Sequence, residues 1–476
     1  MHDQLPHPAG QGAGVPGRSG GPGGAGRRQT ARAVRTDAGR RRGLGRAGEG
    51  AARRPGSAGR PRCSIRAPRP ARARVPVRGA RSLTLTGVPT GTEFVRRQNT
   101  GLVLRSLRAQ GSATRTELAR RTGLAKATVG TIIGELEAIE AVHEDDSTPS
   151  GRGRPGRPIT LTGQAIIGLG LEVNVDYVAA VGLDLAGTVR VVETRALATA
   201  GTPPSTRELV ELATDVRTAL IDGGHTVVGA TVAVPGLVAQ DNRTVSWAPN
   251  LGWTGRELAT ELEAAFGGSC PTTIDNDANC AALAEAAHGV TTDVQHSLYI
   301  TGTIGIGAGI VQAGSLLRGG AGFAGEVGHM PIGDPEAICG CGRTGCWEAS
   351  VGLRAMLSAV GMEEGTTPVQ TALTVAARAA TDAEVRAALA RLGTALGTGV
   401  ATLAAVLDPA AIVLGGYFVP LGAYVVPAAE AVLAERLPSA SIHLPQIRLS
   451  SLGIHGAALG AAEQALADVY AGSLPG

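Results

Sequence analysis

Apolar and polar residues follow two different periods along this chain. Between Gln98 and Ile139 the apolar residues recur at helical spacing, which predicts three helices. From Ile166 onwards three strand-like runs follow one another, IIGLGLEV, YVAAVGLDL and TVRVVET, before helices and further strands alternate. Residues 410–429 carry no charge, but glycines and prolines interrupt them, which favours a buried strand plus loop over a membrane span. The pattern predicts an α/β protein that begins with a helical segment.

The predicted helices have the spacing of a helix-turn-helix. Thr114 and Glu117 form a capping box that opens the second helix. Ala119 lets two helices cross closely, and Gly123 permits the tight turn between them. An ordinary three-helix subdomain is the alternative. In a helix-turn-helix the start of the second helix of the pair faces base edges in the major groove, where the candidate readers are Lys126, Thr128 and Thr131.

A basic segment between two short predicted strands has the character of a wing. Residues 150–158 read SGRGRPGRP, and the predicted strands are 141–144 and 159–162. Arginines separated only by glycine and proline form a narrow, extended segment that can lie in a minor groove. A plain linker is the alternative. The candidate minor-groove residues are Arg152, Arg154 and Arg157.

Four metal-ligating side chains fall within eighteen residues, interleaved with glycines that allow a tight fold. They are His329, Cys339, Cys341 and Cys346. Three thiolates and one imidazole suit tetrahedral zinc with every position filled, which is a structural arrangement. Buried free cysteines or disulfides are the alternatives, but Cys339 and Cys341 are too close in sequence to bridge each other. The motif predicts one structural Zn²⁺ per chain.

The motifs ExGH, at Glu326–His329, and CxCGxxGCxE, which ends at Glu348, resemble the ROK family of sugar kinases and sugar-responsive repressors. The likeness extends from about Phe94 to the C-terminal end. It implies a winged helix-turn-helix followed by a two-lobed, actin-like (ribonuclease-H-like) ATPase-fold sugar-sensing domain. It also implies that Glu326 and Glu348 line a sugar site and that His329 touches both sugar and metal. ROK repressors usually have Ser where Ala125 stands.

Further candidate sugar contacts lie on loops that follow strands. Hydroxyl-rich ligands need paired donors and acceptors, which Asn and Asp supply. By resemblance, Asp277 occupies the position of the general base of ROK kinases, which deprotonates the sugar hydroxyl. The other candidates are Gly236, Asn250 and Asn276.

The turn that holds phosphate in ROK kinases, DxGGTK, is degraded here. The equivalent stretch, residues 172–177, reads EVNVDY, so Asn174 and Val175 stand where glycines would expose backbone N–H groups, and Asp176 beside them would repel a phosphate. The sole lysine of the chain, Lys126, lies in the DNA-binding segment, which excludes a Walker-type P-loop. The Gly-rich turn at 302–309 and the pair Gly415-Gly416 survive. No catalytic residue is therefore expected.

Charge divides the chain into three parts. Residues 1–90 contain 19 Arg and 3 acidic residues, residues 91–162 carry a net +3, and residues 163–476 carry −15. The first segment is rich in Arg, Gly, Ala and Pro, and it is predicted to be disordered. A mis-set start of a GC-rich gene is favoured as its explanation over a basic tail that binds nucleic acid. The predicted domains are a winged helix-turn-helix at 91–162 and a ROK domain at 163–476, with lobes at roughly 163–295 and 296–476.

The leading hypothesis is a cytoplasmic, sugar-responsive DNA-binding transcriptional regulator, a repressor of carbohydrate uptake or metabolism genes. Its expected partners are double-stranded operator DNA, a sugar or sugar phosphate, and its own copies in a homodimer or homotetramer, with no membrane. A ROK sugar kinase with an appended DNA-binding domain is the second hypothesis and rests on Asp277. A DNA-binding protein with a vestigial sensor is the third.

Overall fold

The computed structural model describes residues 91–145, 156–197, 206–365, 367–437 and 443–475. All of them belong to one compact unit, Leu83–Gly476. The predicted disordered segment at 1–90 lies outside the described residues, and so do Arg152 and Arg154 of the predicted wing.

The N-terminal part contains three helices and a three-stranded antiparallel sheet of order β1-β3-β2. The elements are α1 (Thr92–Gln110), β1 (Ala113–Thr114), α2 (Arg115–Thr122), α3 (Lys126–Ala138), β2 (Val142–Glu144) and β3 (Pro158–Leu161). The predicted capping box is confirmed, because Thr114 accepts from the backbone N–H of Glu117 and Glu117 accepts from that of Thr114. Gly123 ends α2 at φ 74°, in the left-handed region that glycine tolerates best.

Two five-stranded sheets form the rest of the fold, and both have the same topology. In each, three successive strands pair antiparallel, and two later strands add in parallel beside the first of them. The first sheet has the order β11-β7-β4-β5-β6 and the second β14-β13-β12-β15-β16. The two halves of the fold thus repeat one sheet topology.

The elements of the first half surround the first sheet and a small sheet beside it. They are β4 (Ile166–Val173), β5 (Tyr177–Asp184), β6 (Val189–Ala196), α4 (Thr206–Asp222), β7 (Thr226–Val234), β8 (Leu237–Val238), β9 (Val245–Ala248), β10 (Trp253–Arg256), α5 (Leu258–Ala265), β11 (Thr272–Asn276) and α6 (Asp277–His288). The three predicted opening strands are confirmed as β4, β5 and β6.

The second half is richer in helices. Its elements are β12 (Ser297–Gly302), β13 (Ile306–Gln312), β14 (Ser315–Leu316), α7 (Glu348–Val351), α8 (Leu353–Val360), α9 (Pro368–Thr381), α10 (Ala383–Leu407), β15 (Ala411–Gly416), α11 (Phe418–Arg436), β16 (Gln446–Leu449), α12 (Gly456–Ala465) and α13 (Ala467–Tyr470). Helix α12 packs on β4 and β7 of the first sheet, although it follows the second sheet in sequence.

The expectation of a loop after residue 416 is wrong, because α11 continues through both prolines. Pro420 falls in the first turn of the helix, where its missing N–H costs nothing. Pro427 removes one internal hydrogen bond, but close packing on α10 compensates: a Cβ on Gly397 would lie 2.8 Å from the backbone oxygen of Ala429. Tertiary packing thus overrides the local signal.

Helices α10 and α11 are each long and apolar enough to cross a membrane by length and composition alone. Both contribute to the core of the second half, through Leu396, Val400, Leu421 and Val425 among others. Core helices of globular proteins have the same length and composition, so these two helices are weak evidence for a membrane span.

Helix α1 is packed directly on the C-terminal helices. Leu104 and Leu107 share one apolar core with Leu466 and Val469. A Cβ on Gly101 would lie 2.8 Å from the backbone oxygen of Tyr470, so only glycine fits at this approach. The N-terminal helices and the body are therefore joined by a continuous core.

Candidate functional site

The predicted metal ligands converge in the structure. One potential ligand atom from each of His329, Cys339, Cys341 and Cys346 lies within 4.8 Å of all the others. The sulfurs of Cys341 and Cys346 are 3.7 Å apart, and that of Cys339 is 3.8 Å from His329 Nδ1. Tetrahedral zinc with bonds of 2.0–2.3 Å requires ligand separations of about 3.6–3.8 Å. The donor set and its spacing therefore fit a closed tetrahedral metal site.

Local backbone geometry brings these ligands together. The backbone N–H of Cys339 donates to Arg343 at 2.8 Å, and that of Gly342 donates to Cys339 at 3.0 Å, which closes a tight turn. Gly342 and Gly345 have φ angles of 82° and 75°, which side chains rarely adopt. The five described cysteines are all free thiols.

The motif is anchored to the core immediately after its last cysteine. The indole of Trp347 is fully buried and donates to the backbone oxygen of Ala395 in α10 at 2.9 Å. Glu348 then begins α7. Its Oε2 accepts from the backbone N–H of Ile306 at 2.9 Å, while its Oε1 lies 3.3 Å from Cys339 Sγ. Glu348 is thus fixed between the cysteine motif and the turn that precedes β13.

His329 faces two groups at once. Its Nδ1 lies toward Cys339, and its Nε2 lies 4.0 Å from Glu326 Oε2. Partial burial raises the pKa of Glu326, an effect that His329 reduces and Glu348 increases. One imidazole therefore connects the cysteine cluster with a pair of carboxyl groups.

Asp277 opens α6 and adds a third carboxyl group to this pair. Burial raises its pKa to about 7, the charge of Glu326 contributes in the same direction, and the backbone N–H of Ala278 opposes the shift. An acid with this pKa can exchange a proton near neutral pH.

Asn276 has a structural part in this arrangement. Its side-chain oxygen caps α6 by accepting from the backbone N–H groups of Ala278 and Asn279, and its amide donates to Gly236 at 3.1 Å. A Cβ on Gly236 would lie 2.6 Å from the backbone oxygen of Trp247, so the loop needs glycine there. Asn250 is exposed in a 3₁₀ turn, Pro249–Leu251.

The predicted base readers occupy the first turns of α3. Lys126 is its first residue and is exposed, Thr128 is partly buried, and the Thr131 hydroxyl donates to the backbone oxygen of Ala127 at 3.2 Å. Ala125 precedes the helix without a side-chain cap. Arg157, the described arginine of the predicted wing, is exposed.

One buried acid was missed by the sequence reasoning. Glu172 is the penultimate residue of the apolar strand β4, is only 4% exposed, and accepts a hydrogen bond of 2.6 Å from the Tyr177 hydroxyl. Burial raises its pKa to about 8, and the nearby charges of Asp277 and Asp176 contribute. An acidic residue inside an otherwise apolar strand was the available signal.

Comparison with known proteins identifies the family. The model of the ROK family matches residues 169–468. The chain belongs to the ROK family. A xylose repressor of Bacillus subtilis is 28% identical over 368 residues, which cover 77% of this chain and 94% of that protein. A glucokinase of Streptomyces coelicolor is 30% identical over 268 residues, or 52% of this chain and 82% of the enzyme.

The crystal structure of a ROK family transcriptional regulator, a homologue of the E. coli MLC protein, superposes with a TM-score of 0.68 at 25% identity. The match covers 79% of this chain and 98% of that one. The two sheets described above are accordingly the actin-like fold of the ROK family.

Proposed function

We propose that this ROK protein is a sugar-responsive transcriptional repressor. The observation that carries the proposal is the extent of similarity: the alignment with the xylose repressor covers 368 residues, more than the 300 residues of the family match, and nearly the whole of that repressor. A glucokinase aligns with only 52% of the chain. The repressor is expected to act in the cytoplasm on genes of carbohydrate uptake or metabolism, as a homodimer or homotetramer.

The N-terminal part, residues 91–162, is the proposed DNA-binding domain. Helices α2 and α3, the glycine turn between them and the β1-β3-β2 sheet support this proposal, because a winged helix-turn-helix combines such a helix pair with a small antiparallel sheet. The exposed start of α3 then lies in the major groove of the operator. The proposed base and groove contacts are Lys126, Thr128, Thr131, Arg152, Arg154 and Arg157.

The effector site is proposed to lie at Asp277, Glu326, His329 and Glu348, with Gly236, Asn250 and Asn276 on adjoining loops. These carboxyl groups and the imidazole supply acceptors and a donor for sugar hydroxyls. A phosphate would meet three acidic side chains here, whereas the nearby Arg318 is engaged by Asp275, with its Nε 3.1 Å from Oδ2. We therefore propose that the effector is an unphosphorylated sugar.

A structural zinc ion is proposed at His329, Cys339, Cys341 and Cys346. When bound, it would join the segment that carries Glu326 to the cysteine motif that leads into Glu348. The chain's own contacts, through Trp347 and the Ile306 backbone, then hold Glu348 against the second lobe.

Sugar binding without phosphoryl transfer tests this function against the kinase alternative. Val175 and Asp176 crowd and repel phosphates where exposed backbone donors would be needed, so we expect no ATP-dependent phosphorylation. Asp277→Asn should weaken sugar binding by roughly ten-fold, because a carboxylate accepts more strongly than an amide. Calorimetry gives the affinity, and a coupled assay detects sugar phosphate. Sugar phosphate formed from ATP and lost in Asp277→Asn would establish the kinase.

A second prediction concerns operator binding. Lys126→Ala should relax sequence preference and weaken specific binding by about 1–3 kcal/mol, because this residue stands where base edges are read. Replacing Arg152, Arg154 and Arg157 together should instead weaken binding evenly and flatten its salt dependence. Fluorescence anisotropy with operator and unrelated DNA at several salt concentrations distinguishes a loss of sequence preference from an even loss of affinity.

Two controls accompany this experiment. Arg391→Ala removes an exposed charge from α10, far from α3 in sequence. It should change neither the sequence preference nor the salt dependence of DNA binding. Deleting residues 1–85 should leave specific binding largely intact. Loss of operator recognition in that deletion would show that the basic segment takes part in it.

A further inference from the structure

A cavity of about 540 Å³ adjoins Asp277. Its walls come from both halves of the fold: the turn after β4, and the starts of α9 and α11. Asp277 lines it, but Glu326, His329 and Glu348 do not. The cavity is therefore a separate space that shares one wall with the sugar site.

The lining of this cavity is apolar at one end and acidic at the other. Val369, Leu373, Val419, Pro420 and Ile454 supply the apolar wall. Three carboxyl groups line it as well, those of Glu172, Asp176 and Asp277, and no Lys, Arg or His stands among the described lining residues. An anion would find no positive side chain among these lining residues, whereas a cation would stabilise the charged forms of the three carboxyl groups.

Glu172 is incompletely satisfied within the protein. One of its carboxyl oxygens accepts from the Tyr177 hydroxyl, but Oε2 is buried without a hydrogen-bond partner of normal geometry. The backbone N–H of Ala458, at the start of α12, lies near enough to oppose slightly the rise in the pKa of Glu172. Buried polar atoms are rarely left unpaired, and an unpaired one in a cavity wall indicates a missing partner.

We propose that this cavity is a second ligand site, which takes a small organic cation: an ammonium group directed to Glu172, on a partly apolar body that packs against α9 and α11. The ammonium would supply the hydrogen bond that Oε2 lacks. Because the walls come from both halves of the fold, the ligand would contact both at once. The proposal does not depend on the sugar site, since only Asp277 is common to the two.

Three probes with one apolar body and different head groups test the proposal on the full-length protein. They are 2-phenylethylammonium, 2-phenylethanol and 3-phenylpropionate. Calorimetry should find the ammonium bound at least ten-fold more tightly than the carboxylate, with a Kd of about 1 mM or tighter. Burial raises the pKa of Glu172 to about 8, so binding near pH 7 should release a proton, seen as a heat that varies with the buffer.

Two variants and a control locate the probe. Glu172→Gln keeps the shape of the side chain and should reduce the ammonium's affinity roughly ten-fold, to that of the alcohol. Leu373→Trp changes a residue that is 48% exposed at the cavity, and it should weaken all three probes by blocking entry. Glu430→Gln, on the exposed face of α11, should change none. Any of three results would overturn the proposal. They are equal affinity for all three probes, an affinity for the ammonium probe that Glu172→Gln leaves unchanged, and no binding of any probe.

Discussion

Replacing Cys341 with alanine is expected to remove zinc from the protein and to abolish its response to sugar. Three thiolates and an imidazole within 4.8 Å of one another repel or crowd each other unless a cation holds them. Without the ion, only the intervening backbone and a few hydrogen bonds, such as that from the backbone N–H of Trp347 to the backbone oxygen of Met330 at 2.8 Å, join the segment of Glu326 and His329 to the segment that positions Glu348. We expect a loss of about 3 kcal/mol or more in stability, and a Tm lower by about 6–12 °C.

Metal analysis of purified protein should find about one zinc per chain in the wild type and much less in Cys341→Ala. Sugar affinity should fall by at least ten-fold, because Glu326 and Glu348, two of the proposed sugar contacts, would no longer be held in a fixed position relative to each other. Cys270→Ala is the matched control: this buried thiol lies in the core of the first half, outside the cluster, and its loss should leave zinc content unchanged. Metal-free wild-type protein of the same Tm as zinc-loaded protein would contradict the prediction.

Features whose cause is local were predictable from the sequence. The capping box at Thr114 needs only residues three apart, and the cysteine cluster needs only the glycines between its members. The opening strands β4, β5 and β6 were also predictable, because their apolar runs are bounded by turn residues. In each case the interacting groups are close neighbours in the chain.

Features that depend on distant contacts were not predictable. Helix α11 forms across Pro427 because α10 offers glycines against which it packs. Glu172 is kept in an apolar strand by a hydrogen bond from Tyr177 and by its position near the start of α12, almost 300 residues later in the chain. The hydrogen bond from the Asn276 amide to the backbone oxygen of Gly236, forty residues earlier in the chain, was likewise not predictable.

Helix α6 extends from the proposed sugar site toward the proposed DNA-binding domain. Asp277 is its first residue and His288 its last, and at the helical rise they are about 16 Å apart along the axis. Close packing holds it against α12, since a Cβ on Gly460 would lie 1.7 Å from the backbone oxygen of Cys280. A displacement of α6 at its first turn would therefore also displace α12 and the side chains around His288.

A buried ionic cluster joins that end of α6 to α1. Glu463 Oε2 of α12 lies 3.1 Å from both His288 Nε2 and Arg108 NH2, and all three side chains are largely buried. Burial opposes the charge of Glu463, but His288 and Arg108 together hold its pKa below the usual range. Helix α1 packs in turn on α2 and α3. This cluster therefore connects the domain that carries the proposed sugar site, through α6 and α12, with the helices proposed to bind DNA.

Arg108→Met is accordingly expected to uncouple sugar binding from operator release. Methionine keeps the alkyl packing but removes the charge that links α1 to Glu463. Sugar affinity and operator affinity, each measured alone, should change less than about three-fold, whereas the weakening of operator binding by sugar should shrink roughly ten-fold, within the usual size of allosteric coupling. Arg105→Met is the control on the same helix, because Arg105 donates to the backbone oxygen of Tyr470 and does not reach α6. If Arg108→Met responds to sugar as the wild type does, the signal reaches α1 by a route other than the Glu463 cluster.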